Sequence, residues 1–300
     1  MPSASRKIER GFSLLELMAS LSIFLVIAAA VFEVLVYYQQ NYQRTQLTVD
    51  MHDSLRGAID MLTQEIGQAG LLSSNSNQVT TLGEAVTAGI TGQSVTFTSA
   101  SSIFVGEQLL VDTGFNQELV AVTSVTLNNV TGIFAKNHSN GAAINVLGVF
   151  PQGVLSSSTA NQLQLVGDIN GDGTLVYVEY DCNNQAPGPG TLTRSVTPIS
   201  APSKNAASIL LDKVMPNPGG TPCFQYPSPL PSAAGFTFVP QVGVTLTVQS
   251  SSLDPVTQTY LTITKQALDL MPRNVQMGLA MANSGVTSSL QPAPPGIPFP

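Results

Sequence analysis

Residues 12 to 36 constrain this chain more than any other stretch. From Phe12 to Val36 the side chains are mostly apolar, and no charge falls between Leu17 and Phe32. A helix of this length can span a hydrocarbon core of about 30 Å. Ahead of it lies a short basic leader, residues 1–11, in which Arg6, Lys7 and Arg10 outweigh Glu9 and which ends at Gly11. An excess of positive charge keeps such a leader on the cytoplasmic side. The expected topology is a single pass, N-terminus inside, with the rest of the chain outside.

Glu16 stands five residues into this helix and needs a reason to be there. A carboxylate at the centre of a membrane helix costs about 2.5–3.5 kcal/mol. Glu16 lies about 6 Å along the axis from Phe12, so it sits shallower and costs less. A partner would remove the penalty. If the chain is cut after Gly11, Phe12 gains a free amino group, and the Glu16 carboxylate can pair with that amine on a neighbouring subunit. The burden then becomes an assembly signal.

The basic leader, Gly11, Phe12, Leu14, Leu15, Glu16, Leu17 and the apolar run after them resemble the N-terminus of a type IV prepilin. The resemblance implies cleavage between Gly11 and Phe12 by a prepilin peptidase, methylation of the new Phe12 amine by the same enzyme class, and packing of the helix into a filament with other major and minor pilins. It also implies residence in a bacterial inner membrane before assembly into a cell-surface or periplasmic filament. The chain departs from many major pilins in one respect: Glu33 stands where they carry a mid-helix proline. A competing reading takes Arg6 to Arg10 and Leu17 to Ile27 as a secretory signal cleaved at Ala28-Ala29-Ala30. It leaves Glu16 stranded in the apolar region and ignores the helical pattern past Ala30.

That pattern continues. Met51, Leu55, Ala58, Leu62, Ile66 and Ala69 recur at spacings of three and four, with Asp50, Asp53, Arg56, Asp60, Gln64 and Glu65 between them. Gly70 and the Ser-Asn run after it end the helix, giving an element over 12–70 with 12–36 in the membrane. Its second half presents an apolar stripe to a β-sheet.

From 79 to 149 the pattern is β: short alternating strands such as Ser94–Thr98 and Leu119–Thr123 separated by Gly and Asn turns. This reads as an inserted small β-barrel or sandwich module. His138, in Lys136-Asn137-His138-Ser139-Asn140-Gly141, reads as a turn histidine without a special role. A second β region, 150–275, carries expected strands near 162–166, 174–180, 191–197, 207–214, 236–239, 242–249 and 258–265. The fold class is therefore α+β: a long N-terminal helix packed on an antiparallel sheet, with the inserted module. Leu268-Asp269-Leu270-Met271-Pro272-Arg273-Asn274 and Thr191-Leu192-Thr193-Arg194 resemble the closing and central strands of W-type minor pilins and J-type pseudopilins. Residues 284–300 are proline-rich and read as a disordered or polyproline-like tail.

Asp168-Ile169-Asn170-Gly171-Asp172-Gly173, with Glu179 beyond, fits the spacing of a calcium loop. Asp168, Asn170, Asp172 and the Thr174 carbonyl are the candidate ligands. Glu179 is carried about 16 Å from Thr174 along an extended chain, which sets it apart from them. The same residues also make an ordinary hairpin turn, so calcium and a bare turn both stay open. Cys182 and Cys223 are the two cysteines. On the exported side they are expected to pair, and closing a loop of about 42 residues stabilises by roughly 4 kcal/mol in the chain-entropy model; two separate thiols are the alternative.

Charged residues make up 10% of the chain and the net charge is −7. Loss of the leader takes it to about −9, which disfavours nucleic acid. No triad, Walker loop or zinc spacing is visible, so an enzyme is not expected. A minor pilin of a type IV pilus fits best. A type II secretion pseudopilin, or an adhesin or ligand-binding protein anchored by a pilin helix, are the alternatives.

Overall fold

The computed structural model describes residues 13–72, 80–146, 148–185, 188–227, 229–231 and 235–299. The chain divides into two compact units, Met1–Asp50 with Ser250–Leu261 and Met51–Gln249 with Thr262–Pro300. Helix α1 runs over Leu14–Gln68. At 1.5 Å per residue it is about 82 Å long. No proline interrupts it. Met51, Leu55, Ala58, Leu62 and Ile66 are buried, as the three-four spacing predicts. Glu65 is buried with them, although its charge suggested the solvent side. The helix stops at Gly70, whose φ of 82° favours glycine and whose added Cβ would lie 2.8 Å from the Phe150 carbonyl oxygen. The Gly70 N–H donates to Val166 O at 2.8 Å, which turns the chain into the sheet.

The inserted module contains β1 (Thr80–Thr81), β2 (Gln93–Thr96), β3 (Gln108–Val111), β4 (Glu118–Ala121), β5 (Ser124–Thr126), β6 (Asn129–Gly132) and β7 (Ala143–Val146). They form a four-stranded sheet in the order β1-β7-β3-β4 and a three-stranded one in the order β2-β6-β5, all antiparallel. Both sheets contribute to one core, in which Val95 and Val130 of the small sheet join Leu109, Val120 and Ile144 of the large one, with Phe97 and Phe134.

The larger sheet is built from β8 (Gln162–Gly167), β9 (Val176–Asn183), β10 (Gly190–Pro198), β11 (Ser208–Met215), β12 (Phe224–Gln225), β15 (Val242–Gln249) and β16 (Thr262–Leu270). Two short strands, β13 (Leu230–Pro231) and β14 (Thr237–Phe238), pair separately. The order is β12-β15-β11-β10-β9-β8, with β16 on the other side of β15 as an antiparallel edge. Seven of the eight residues of β15 are buried, whereas β16 alternates between exposed and half-buried positions. The last strand starts at Thr262 rather than near 258. Asp254 is the reason: its N–H donates to Thr259 O and its carboxylate takes the Thr257 hydroxyl, which holds 254–259 in a loop.

Helix α2 (Arg273–Asn283) follows β16, and Pro272 stands at its N-cap. The Asn274 amide donates to the last carbonyl of α1, Gln68 O at 3.2 Å, and to the next, Ala69 O at 3.4 Å. The C-terminal residues differ from the disordered tail that composition suggested. Leu290 and Gln291 are buried, and the Gln291 side chain exchanges two hydrogen bonds with the Gln108 backbone at 2.8 and 2.9 Å. Ile297 and Phe299 pack against a core containing Phe104, Phe150 and Tyr177. Prolines lower the conformational entropy that ordering must overcome, so a few such anchors suffice to hold this segment.

Candidate functional site

The first turns of α1 carry the features that set this chain apart. Leu14, Leu15, Leu17, Met18, Leu21, Ile23, Phe24 and Leu25 are all more than half exposed. The most apolar window of the helix has no buried residue, and its length and composition suffice to cross a membrane. The hydroxyls inside it are satisfied locally: Ser20 donates to Leu17 O at 3.0 Å and Ser22 to Met18 O at 2.8 Å. Glu16 lies in the first turn, where the helix dipole favours a negative charge. It is exposed on the same lipid-compatible surface as its apolar neighbours. Gly11 and Phe12, the expected processing junction, lie outside the described residues.

Above the apolar run the helix is held by the loop Ser250–Leu261, which belongs to the same unit. Arg44 Nε lies 3.6 Å from the Asp254 carboxylate, whose side chain is fully buried. Burial works against the Asp254 charge. The Thr257 hydroxyl, the Val256 N–H and Arg44 outweigh it and hold the carboxyl below the usual range.

Further along α1, Glu65 accepts a hydrogen bond from the Tyr180 hydroxyl at 2.5 Å and a two-pronged contact from the Arg194 guanidinium, through Nε at 3.2 Å and through Nη2. Burial and the Glu65 charge push the Tyr180 hydroxyl up, so it stays a proton donor. Burial works against the Arg194 charge, but Glu65 outweighs it and raises the guanidinium. This cluster fastens α1 to the sheet and was not legible from residue types. The one signal was spacing, since Glu65 falls three residues after Leu62 and four before Ala69.

The carboxylates among the calcium candidates accept backbone N–H groups of their own loop. Asp168 is buried, and its two carboxylate oxygens accept the N–H groups of Asp172 and Gly173, both at 3.0 Å. Asp172 accepts the Thr174 N–H at 2.8 Å. Asn170 and Gly171 shape the turn, and Gly171 has a φ of 70°. Glu179 points elsewhere: it takes the Tyr177 hydroxyl at 2.5 Å and Lys204 Nζ at 2.8 Å. Among the described residues no group of three or more His, Cys, Asp or Glu is placed to hold a metal. Asp168 and Asp172 thus both carry hydrogen bonds of the kind that shape a turn.

Cys182, on β9, and Cys223, just before β12, are joined in a disulfide. The bridge ties β9 to the segment leading into β12, helped by hydrogen bonds from Cys182 N to Asn161 O and from Phe224 N to Ala160 O.

His138 is not the idle turn residue its surroundings suggested. It is buried, with Nδ1 3.1 Å from Asp112 Oδ2 and Nε2 2.6 Å from Glu118 Oε1. Both ring nitrogens must carry protons for both contacts to be hydrogen bonds to carboxylates. Glu118 also accepts the N–H groups of Ala135 and Lys136, so the imidazole bolts β4 to the 135–138 segment. A second buried acid of the module, Glu107, has a single weak contact of 3.3 Å from the Phe104 N–H. Burial pushes its carboxyl up to about 8. The sequence signal that could have found both is sparsity: they are among the few ionisable side chains between residues 80 and 146.

Comparison with known proteins adds one finding. Residues 6–32 match the prokaryotic N-terminal methylation motif. No curated protein and no solved structure matches the chain. The motif, followed by a long apolar helix, supports a type IV pilin-like or pseudopilin protein that is processed by a prepilin peptidase and anchored by its N-terminal helix.

Proposed function

We propose that this chain is a minor pilin of a type IV pilus, cut after Gly11, methylated at Phe12 and assembled through α1. The observation that carries the proposal is the methylation motif leading directly into a helix whose apolar surface is bare and whose first turn holds Glu16. A bare apolar helix must be covered by lipid before assembly and by other helices afterwards. In the filament the Glu16 carboxylate meets the Phe12 amine of a neighbour, so each subunit carries both halves of the pair. The role is structural rather than catalytic.

The inserted module favours a second reading, in which the pilin helix is an anchor and the 80–146 unit binds a surface or ligand. Assembly as a type II secretion pseudopilin uses the same helix and the same pair. One experiment tests the main proposal. Mass spectrometry of the mature protein should find N-methylated Phe12, and Glu16→Val should leave that processing intact while reducing recovery of the chain in sheared filaments. Normal incorporation of Glu16→Val would refute the pairing role and favour the anchor reading.

A further inference from the structure

The loop Ser250–Leu261 has features that the packing of the fold does not require. It is internally fixed. Ser250 N donates to Leu261 O at 2.8 Å, the Asp254 N–H to Thr259 O at 2.9 Å, and Gln258 Nε2 to Pro255 O at 2.9 Å. Its one charged residue, Asp254, is fully buried and engaged by Arg44, Val256 and Thr257. The outside of the loop therefore carries no free charge. It carries Leu253, Val256 and Tyr260, which are 45%, 48% and 51% exposed.

The attachment point sets the height of this surface. Arg44 lies two residues beyond Tyr42 and six beyond Tyr38, or about 3 Å and 9 Å along the helix axis. Tyr37, Tyr38 and Tyr42 are exposed at the end of the apolar run, where aromatic side chains mark the membrane–water boundary. The headgroup zone on each face of a bilayer is about 5–8 Å thick. A loop fastened at Arg44 thus lies level with the tyrosines that close the membrane span.

We propose that Ser250–Leu261 is a second membrane-contacting element, in which Leu253, Val256 and Tyr260 enter the lipid headgroup region beside α1 while the subunit resides in the membrane. The inference rests on reading α1 as a membrane span. Lipid is the occupant because the exposed apolar residues belong to the same unit as the apolar helix, are fastened at the level of its closing tyrosines, and sit on a loop that hides its only carboxylate. An uncharged surface of mixed aliphatic and aromatic side chains suits that zone, where Tyr keeps its hydroxyl in contact with water.

The chain contains no tryptophan, so a single introduced one is the sole indole reporter. Full-length protein carrying Val256→Trp or Leu253→Trp would be placed in phosphatidylcholine vesicles with bromine high on the acyl chains. The expected result is roughly a twofold loss of emission relative to unbrominated vesicles, as for a side chain at the headgroup–acyl boundary. Phe24→Trp, at the middle of the helix span, serves as the reference, read in vesicles brominated deep on the acyl chains. Adding Asp254→Ala to Val256→Trp should release the loop and restore emission. If Phe24→Trp is quenched while Val256→Trp and Leu253→Trp are not, the loop does not enter the interface and the proposal is overturned. It is overturned equally if the loop reporters escape bromine yet are shielded from aqueous iodide, which would assign the surface to a protein neighbour. If Phe24→Trp itself is unquenched, the membrane reading of α1 fails instead.

Discussion

Glu65 of α1 and Arg194 of β10, 129 residues apart in sequence, form a two-pronged ion pair in the core between helix and sheet, with the Tyr180 hydroxyl on the same carboxylate at 2.5 Å. Removing Glu65 leaves the half-buried Arg194 guanidinium uncompensated and the buried Tyr180 hydroxyl without its acceptor. Glu65→Ala is expected to cost about 3–5 kcal/mol, read by urea unfolding of the detergent-solubilised chain. Glu65→Leu combined with Arg194→Met should recover most of that loss, because two apolar side chains leave no charge to desolvate. Equal losses in the single and double variants would mean that shape, and not charge, holds α1 there.

Glu107 predicts a pH dependence. Its carboxyl is raised from the ordinary 4.5 to about 8 by burial. Between those values the unfolded chain has lost the proton and the folded chain keeps it, so stability falls as pH rises. Below the lower value both states are protonated and the penalty vanishes. Glu107→Gln should therefore stabilise the protein by on the order of 3 kcal/mol at neutral pH and by almost nothing near pH 4. Unfolding curves at the two pH values, compared between wild type and variant, check both size and sign.

His138 predicts the opposite behaviour in acid. Its hydrogen bond holds the Asp112 carboxyl below its ordinary 3.8, so that contribution is present above this value and is lost as pH falls beneath it. His138→Ala removes the hydrogen-bond partner shared by Asp112 and Glu118 and should cost about 1–3 kcal/mol at neutral pH. Hydrogen exchange should show the loss concentrated at Ala135, Lys136 and the strand β4 whose Glu118 they share.

Asp168 separates the turn from the metal site. As a turn, Asp168→Ala orphans the N–H groups of Asp172 and Gly173 and should lower stability by about 1–3 kcal/mol with or without calcium. Millimolar calcium should leave the melting temperature of the wild type unchanged. A calcium-dependent rise that disappears in Asp168→Ala would restore the ligand reading of Asp168, Asn170 and Asp172.

Local information settled a good deal of this molecule. Sixteen uncharged residues behind a basic leader suit a membrane or filament helix, and the three-four spacing of Met51 to Ala69 names the buried face of its second half. The β-type residue pattern located β8 to β11 and β15 to within a few residues, because side-chain period follows backbone geometry directly. Even the disulfide partners were available by count, there being two cysteines.

Other features depended on what long-range folding brought together. Glu65 meets Arg194 and Tyr180, His138 meets Asp112 and Glu118, and Gln291 meets Gln108, each across a separation at which sequence carries no distance information. Each of these polar side chains reads as solvent-facing by type. The fold buries Glu65, His138 and Gln291 and supplies the partners that satisfy them. The Asp168 loop is the converse case. Its spacing suggested a cation, and the folded turn places the N–H groups of Asp172 and Gly173 on the two Asp168 carboxylate oxygens, an arrangement that spacing alone does not state.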